Sequence, residues 1–289
     1  MMQDVLHDSR ISRLVELALM EDIGLGDLTS DAIVPDVQLG KAVIVCKEDG
    51  IIAGLDIAAL AFRYGDNSIT VSPTLQEGAW AHKEQIIATV DGFTKGILRV
   101  ERTALNFLQR MSGIATLTRK FVDAVEGTGA KITDTRKTAP GLRALDKLAV
   151  RLGGGVNHRF GLDDMVLIKD NHIVAAGSIR YAVEQCHRYL RANGITAEIE
   201  VETKNLAEVH EALECSGIRR IMLDNFAPDI MHKAVRYVDH RVELEASGGI
   251  TLENVRVYAE TGVDVLSVGA LTHSVRALDI SLELRDLRR

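Results

Sequence analysis

The sequence is poor in the residues that mark several common classes of protein. Aromatic residues make up only 4% of the chain, so its core must be built from aliphatic side chains. Cys46, Cys186 and Cys215 are an odd number without CxxC spacing, which argues against a disulfide framework and a structural zinc site. No apolar run approaches the roughly 18 residues of a membrane span, and MMQDVLHDSR does not resemble a signal peptide. These absences predict a cytoplasmic protein without membrane association.

Excess positive charge and several familiar catalytic motifs are also missing. The net charge of −7 argues against nucleic-acid binding, which usually leaves a basic surface. No HExxH, GxSxG or GxxxxGK[ST] motif occurs, so a zinc protease, an α/β-hydrolase and a P-loop nucleotide hydrolase are unsupported. Against this acidic background, local clusters of Arg and Lys become informative, because an enzyme that acts on anions needs them.

The first part of the chain, residues 1–112, mixes helical and strand patterns without a regular repeat. Apolar spacing predicts a helix over Arg10–Met20, and β-type runs predict strands at Lys41–Cys46 and Ile86–Val90. A long helical stretch follows over Leu98–Val125. The mixture predicts an N-terminal α+β domain with sandwich-like layers.

The second part, residues 113–274, has a regular pattern of short β-type runs, most of them followed by a helical stretch. Glu202, Asp224, Ser247 and Gly269 close successive runs at intervals of 22, 23 and 22 residues, which suits consecutive βα units and a parallel sheet. The six runs are Lys131–Asp134, Met165–Lys169, Ala197–Glu202, Arg220–Asp224, Val242–Ala246 and Val263–Val268.

These runs are apolar on both faces, as burial in a barrel requires, but they are fewer than the strands of a complete barrel. A seventh strand could lie near residues 147–158. The predicted fold class is therefore α/β, with the α+β domain joined to an incomplete, six- to seven-stranded parallel barrel. Residues 275–289, beyond the last strand, are expected to pack on the first domain.

Charged side chains follow the ends of the predicted barrel strands, where βα barrels gather their functional groups. A single charge of this kind is usually a solvated loop residue, but here strand after strand ends in polar residues. The acidic members are Glu202 and Asp224. The basic members are Arg136, Lys137, His158, Arg159 and Lys169.

These residue types suit a ligand with several negative charges. Arg binds carboxylate or phosphate with two parallel hydrogen bonds, and Lys adds a compact charge. Glu202 and Asp224 suit ribose hydroxyls or a Mg²⁺ ion that bridges phosphates. Ser247–Gly249 and Gly269–Ala270 end the last two strands, where barrels commonly hold a phosphate. The pattern therefore predicts a site for a sugar phosphate and an anionic acceptor.

Eight motifs follow one another along the chain: Glu21–Ser30, Glu101–Asn106, Ser112–Thr116, Asp134–Thr138, Gly153–Arg159, Leu167–His172, Met222–Asn225 and Ser247–Ile250. In this order they resemble the motifs of the quinolinate phosphoribosyltransferase family. One motif alone would be weak evidence, but the ordered set is highly specific, and the resemblance runs from about residue 10 to about residue 275.

The resemblance implies an enzyme of de novo NAD biosynthesis. Such an enzyme transfers the phosphoribosyl group of phosphoribosyl pyrophosphate to quinolinate, releases CO₂ and pyrophosphate, and forms nicotinate mononucleotide with the help of Mg²⁺. The resemblance also implies an N-terminal α/β domain followed by an incomplete barrel. The basic unit would be a homodimer in which Arg102 completes the active site of the partner subunit.

The same resemblance assigns roles to the predicted site residues. Lys137, Lys169, Glu202 and Asp224 are the implied catalytic residues, and either lysine is a candidate proton donor after decarboxylation. Glu202 and Asp224 would serve the ribose and Mg²⁺, although a longer loop after Glu202 leaves Glu200 open as the active acid. The quinolinate carboxylates would face Arg136, His158, Arg159 and Lys169, with Lys137 nearby. The 5′-phosphate would lie against Ser247, Gly248, Gly249, Gly269 and Ala270.

Two alternatives stay open at this point. A relative with the same fold could act on another anion, such as a monocarboxylate, although the dense basic cluster favours a dicarboxylate because unpaired buried cations are costly. A non-catalytic anion sensor could also keep such a pocket. Glu202, Asp224 and Lys137 argue against the sensor, since binding alone does not require the metal and ribose acids.

Overall fold

Helices and strands follow the apolar periodicities of the sequence closely in a computed structural model that describes residues 8–285. None of the helices in this range, including the 31-residue α4, has the length and apolar character needed to cross a membrane. The helices are α1 (Ser9–Ile23), α2 (Leu28–Ile33), α3 (Leu55–Gly65), α4 (Thr94–Ala124), α5 (Arg143–Leu152), α6 (Asp170–Ala176), α7 (Ile179–Ala192), α8 (Leu206–Leu213), α9 (Pro228–Val238), α10 (Val255–Ala259) and α11 (Ala270–His273). The strands are β1 (Leu39–Cys46), β2 (Gly50–Ile51), β3 (Thr70–Pro73), β4 (Trp80–Ala81), β5 (Ile86–Phe93), β6 (Lys131–Thr133), β7 (Val166–Ile168), β8 (Ile199–Thr203), β9 (Arg220–Asp224), β10 (Glu243–Ser247), β11 (Val265–Ser267) and β12 (Ile280–Arg285).

The chain divides into two compact units that are not continuous in sequence. Within residues 8–285, the first unit takes in the chain up to Arg119, Ala139–Gly154 and the chain from Ser274, and the second takes in Lys120–Thr138 and Gly155–His273. Residues 113–119 and 139–154 belong to the predicted barrel segment 113–274, and in the structure they pack within the first unit, so the compact units do not follow a single boundary in sequence. A linear boundary could not represent this arrangement, because α4 runs on past residue 112 and α5 returns to the first unit.

The first unit is built around a four-stranded antiparallel sheet in the order β12-β1-β5-β3. The aliphatic run at the centre of β1 is buried, and Ile44 lies opposite Leu282 on one side and Ala88 on the other. Helix α1 buries Ile11, Val15 and Leu19, which recur every four residues along one face. The C-terminal strand β12 is thus an edge strand of this sheet, while residues 286–289 of the predicted C-terminal segment lie outside the described residues.

The second unit contains a six-stranded parallel sheet in the order β6-β11-β10-β9-β8-β7. Its strands alternate with helices, so the predicted α/β class with an incomplete barrel is confirmed. Where the sequence left room for a seventh strand, Val156 makes a single parallel bridge to Thr133. Because all six strands run in the same direction, their carboxyl ends lie on one edge of the sheet, and this edge carries the candidate site.

Candidate active site

The carboxyl ends of the parallel strands line a cavity of about 640 Å³ within the second unit. Most of the residues that the sequence analysis assigned to the site share this one cavity. They are Arg136, Lys137, His158, Arg159, Lys169, Glu202, Asp224, Ser247, Gly248 and Gly249.

Three other predicted site residues, Gly269, Ala270 and Arg102, are not among the residues that line this cavity. Gly269 lies against the stem of Lys137, since a Cβ atom added there would be 3.2 Å from the Cδ atom of Lys137. Arg102 is an exposed residue of α4 in the first unit. The predicted roles of these three residues, like the roles of those that line the cavity, stay predictions.

Lys137 stands on an irregular segment that is held from two directions. Its backbone N–H donates to the hydroxyl of Thr135 at 3.0 Å, and its carbonyl accepts from the hydroxyl of Thr272 at 2.9 Å. The absence of a side chain at Gly269 leaves room for the aliphatic stem of the lysine. These contacts fix the backbone and leave the long side chain exposed at the cavity.

The neighbouring residue pair, His158 and Arg159, is anchored by a buried acid. The Asp134 carboxylate is fully buried and accepts the backbone N–H of His158 at 3.0 Å. The Arg159 guanidinium donates to the carbonyl of Met165 at 3.0 Å. Partial burial and the nearby charge of Arg136 both lower the pKa of Arg159, which shows that two cations share this part of the cavity.

The imidazole of His158 is contacted at both nitrogens by the protein itself. Its Nδ1 atom accepts the N–H of Arg159 at 2.8 Å. Its Nε2 atom lies 3.2 Å from Glu200 and 3.4 Å from Glu245. Burial lowers the pKa of His158, but the two carboxylates outweigh burial and raise the pKa to about 9.

Because Nδ1 accepts the Arg159 N–H, the proton of the neutral His158 ring lies on Nε2, and protonation of Nδ1 is disfavoured. The additional proton that the raised pKa implies is therefore best described as shared between the ring and its buried carboxylates. Consistent with this, burial raises the pKa of Glu200. Glu245 differs, because its contacts with His158 and Arg220 outweigh burial and lower its pKa.

Beneath the cavity, four charged side chains form a layer on the cavity side of the parallel sheet: Glu200, Arg220, Glu243 and Glu245. Glu200 and Glu245 are fully buried, and Arg220 donates to Glu245 at 2.8 Å and approaches Glu243 at 2.6 Å. Register explains the layer, since Arg220 lies directly opposite Glu200 on β8 and Glu243 on β10. His158, Glu200 and Glu245 offer ligand atoms within 4.8 Å of one another, but the Arg220 guanidinium already pairs with both carboxylates and would repel a metal cation.

Glu202 and Asp224 line the cavity together with Glu245 of the buried layer, whereas Glu200 is not among the lining residues. Glu200 and Glu202 lie on the same face of β8, but Glu200 belongs to the buried layer and only Glu202 lines the cavity. The pKa of Glu202 is raised, and burial is the main cause. The Lys169 ammonium, 3.7 Å from the Glu202 carboxylate, opposes this increase, and the negative charge of Asp224 adds to it. The two acids are therefore close enough to interact through their charges.

The Gly-rich end of β10 supplies a backbone surface without bulky side chains. Gly248 and Gly249 adopt φ angles of +98° and +61°, in the left-handed region that glycine enters without strain. Asn254 donates its side-chain amide to the carbonyl of Gly249 at 2.9 Å and so closes the turn. Backbone N–H groups in such turns suit phosphate oxygens.

Several cavity residues were not assigned roles from the sequence, among them Asn225, Thr135, Glu245 and Ser267. Strand alternation could have identified Glu245, because it precedes Ser247 by two residues and shares its face of β10. Asn225 was part of a recognised motif, but no pattern in the sequence indicated its backbone conformation. Its φ angle of +56° lies in the left-handed region, which is uncommon for residues other than glycine.

Comparison with known proteins accounts for most of the chain. The sequence-family model described as quinolinate phosphoribosyl transferase, N-terminal domain, matches residues 27–112. The model of the C-terminal domain of the same family matches residues 114–283.

Individual relatives extend this similarity along almost the full length. The chain is 46% identical over 286 residues to the quinolinate phosphoribosyltransferase [decarboxylating] 1b of Nicotiana tabacum, covering 94% of this chain and 81% of the relative. It is 44% identical over 275 residues to a probable nicotinate-nucleotide pyrophosphorylase [carboxylating] of Bacillus subtilis, covering 95% and 93% of the two chains. The solved nicotinate-nucleotide pyrophosphorylase of Francisella tularensis superposes with a TM-score of 0.91 at 38% identity, covering 96% of both chains.

Proposed function

Because this chain belongs to the quinolinate phosphoribosyl transferase family, we propose that it transfers the phosphoribosyl group of phosphoribosyl pyrophosphate to quinolinate. The products are nicotinate mononucleotide, pyrophosphate and CO₂, in de novo NAD biosynthesis. The observation that supports this most directly is the cavity, which combines a basic cluster, two acids and a Gly-rich turn in one space. Each of these groups suits a different part of the two substrates.

The basic cluster suits a dicarboxylate acceptor. Arg136 and Arg159 lie close enough for the charge of one to lower the pKa of the other, and Lys137 and Lys169 line the same cavity. Such a cluster is repulsive until an anion neutralises it, and a dicarboxylate supplies two negative charges at once. Quinolinate meets this requirement better than a monocarboxylate.

The acids and the Gly-rich turn suit the phosphoribosyl donor. Glu202 and Asp224 would accept ribose hydroxyls and would hold a Mg²⁺ ion, since paired carboxylates with substrate phosphates are a preferred Mg²⁺ environment. When bound, Mg²⁺ neutralises charge on the pyrophosphate leaving group. The Ser247–Gly249 turn would receive the 5′-phosphate through its backbone.

The proposed chemistry has two steps that the side chains promote by position and charge. The pyridine nitrogen attacks C1 of the ribose as pyrophosphate leaves, and Glu202 and Asp224 stabilise the positive charge that develops on the sugar. The adduct carries a cationic nitrogen, which stabilises the carbanion left when the adjacent carboxylate departs as CO₂. Lys137 or Lys169 then donates a proton to that carbon.

We further propose a homodimer in which Arg102 completes the cavity of the partner subunit, and a cytoplasmic location. The position of Arg102, exposed on α4 in the unit that does not hold the cavity, agrees with this role. Complementation tests it, because mixed dimers of Arg102→Ala and Lys137→Ala chains contain one site with both wild-type residues. Random mixing of the two inactive variants should restore about a quarter of wild-type activity. No recovery from dimers that exchange subunits would contradict the shared site.

A direct assay tests the reaction itself. Purified protein is incubated with quinolinate, phosphoribosyl pyrophosphate and Mg²⁺, and CO₂ release and nicotinate mononucleotide formation are followed together. Nicotinate serves as the matched acceptor without the second carboxylate, and a chelator tests the need for Mg²⁺. Equal production of CO₂ and mononucleotide from quinolinate is expected. Turnover of nicotinate without CO₂ would keep the donor and overturn the acceptor.

A further inference from the structure

Asn225 occupies a place between two groups that the proposed function assigns to phosphoribosyl pyrophosphate. It directly follows Asp224, the last residue of β9, and its backbone N–H donates to the carbonyl of Ser247 at the end of β10 at 2.8 Å. It therefore links the acid on one strand to the turn on the next.

The side chain of Asn225 makes this link specific. Its amide nitrogen donates to the Oδ2 atom of Asp224 at 2.8 Å. Within residues 8–285, it is the one side chain that hydrogen-bonds this carboxylate. Because a carboxylate can only accept, the amide must turn its nitrogen toward Asp224 and its oxygen away.

The oxygen of the same amide lies over Gly248. A Cβ atom added at Gly248 would overlap with the Oδ1 atom of Asn225, so the amide fills the space that a side chain would otherwise occupy. Gly248 itself has a φ angle of +98°, which any other residue would adopt with strain. The turn and the amide are therefore matched in shape.

The backbone at Asn225 also favours this residue type. Its φ angle of +56° is left-handed, and asparagine and glycine enter that region more readily than other residues. Asparagine is thus compatible with the backbone and also carries a donor of the right length. Glycine would keep the backbone and lose the donor.

We infer that Asn225 is a positioning residue that fixes the Asp224 carboxylate and couples it to the Ser247–Gly249 turn. It acts through Asp224 and not by contact with substrate. The inference rests on the proposed function, in which Asp224 and the turn hold phosphoribosyl pyrophosphate.

The test uses Asn225→Gly, which preserves the left-handed backbone, with His240→Gly as the matched control. His240 has a φ angle of +58° and is exposed just before β10 begins, at the opposite end of the strand from Ser247. Asn225→Gly should lower kcat/KM for phosphoribosyl pyrophosphate by about 10- to 100-fold, since small misplacements of catalytic groups carry penalties of this size. The dissociation constant of quinolinate should not change, and His240→Gly should behave as wild type.

A double-substitution cycle separates positioning from direct contact. In an Asp224→Asn background, adding Asn225→Gly should lower kcat/KM by less than about threefold, because the group being positioned is already lost. Equal effects of Asn225→Gly in both backgrounds would show that Asn225 contacts the substrate and would overturn the inference. A near-normal single Asn225→Gly enzyme would overturn it as well.

A crystal structure of Asn225→Gly keeps this test independent of the proposed function. The Asp224 side chain should leave its present rotamer or occupy more than one. An Asp224 carboxylate that stays in place without the amide would refute the positioning role. This result does not depend on which substrates the wild-type protein converts.

Discussion

The two larger sheets of this protein both contain buried strands, but the buried side chains differ in chemistry. In the antiparallel sheet, the centre of β1 buries Val43, Ile44 and Val45, which are at most 6% exposed. In the parallel sheet, β8 and β10 bury Glu200 and Glu245 completely beside the guanidinium of Arg220. Barrel interiors are usually filled with branched apolar residues, so the second sheet departs from the ordinary pattern.

The difference shows that the two interiors serve different purposes. An apolar interior gains free energy with each buried methylene group, whereas buried charges must first overcome the loss of hydration. The charged layer is therefore a poor way to stabilise a sheet. Its position directly beneath His158 and the cavity explains it better, because Glu200 and Glu245 approach the Nε2 atom of that ring while the Arg159 N–H contacts its Nδ1 atom.

Removing the cation of the charged layer should have the largest effect on stability. In Arg220→Met, Glu200 and Glu245 would keep their burial and lose their main positive neighbour. We expect the free energy of unfolding to fall by about 4 kcal/mol, the usual result of breaking a buried ion pair on one side. Urea unfolding followed by circular dichroism measures this change.

Two further variants sharpen the result for Arg220. Arg219→Met, at the adjacent and half-exposed arginine, should change the unfolding free energy by less than about 1 kcal/mol, as exposed ion pairs contribute little. Adding Glu245→Leu to Arg220→Met should recover part of the loss, because it removes a carboxylate left without its partner. A double variant less stable than Arg220→Met would show that Glu245 stabilises the fold by other contacts.

In the apolar sheet, Ile44→Ala should lower the unfolding free energy by about 3 kcal/mol through lost burial and a residual cavity. The loss should be the same at pH 7 and pH 9, since no titrating group is involved. The same unfolding experiment at both pH values measures it. A loss that changed strongly with pH would mean that a titrating group also contributes to the interior of the antiparallel sheet, so the contrast with the charged layer would be wrong.

The contrast between the sheets also explains how much could be predicted from sequence. Short β-type runs and their repeat spacing located the six parallel strands within a few residues, although one face of β8 and of β10 carries acids where a barrel strand was expected to be apolar. The acids at strand ends, Glu202 and Asp224, followed from the same spacing. Local patterns determine these features, so one sequence contains enough information to place them.

Features that depend on distant residues could not be placed in this way. Residues 139–154 were assigned to the barrel, because no local pattern records that α5 packs in the first unit. Sequence spacing could not distinguish Glu200 from Glu202, because only the folded chain shows that Glu202 lines the cavity and Glu200 lies in the buried layer. The left-handed conformation of Asn225 depends on its contacts with Asp224 and Ser247, and motif matching alone does not reveal it.

The smallest effect concerns the dependence of stability on pH. The pKa of His158 is raised to about 9 in the folded protein by Glu200 and Glu245, whereas an unfolded histidine titrates near its ordinary value. The folded state therefore holds a proton that the unfolded state releases. The stabilisation is complete below the unfolded pKa and is lost as the pH rises through the folded pKa, so the window runs from roughly 6.5 to 9.

Wild-type protein should lose about 2 kcal/mol of unfolding free energy from this proton between pH 7 and pH 9. His158→Gln removes the titrating ring and keeps a donor for the carboxylates, so its stability should change less over the same interval. Ile44→Ala should retain the full wild-type slope, because the charged layer is intact. The difference between the two slopes isolates the contribution of His158 from that of other titrating groups. Parallel slopes for wild type and His158→Gln would show that the ring remains neutral, held by the Arg159 N–H, and that the buried layer carries no additional proton.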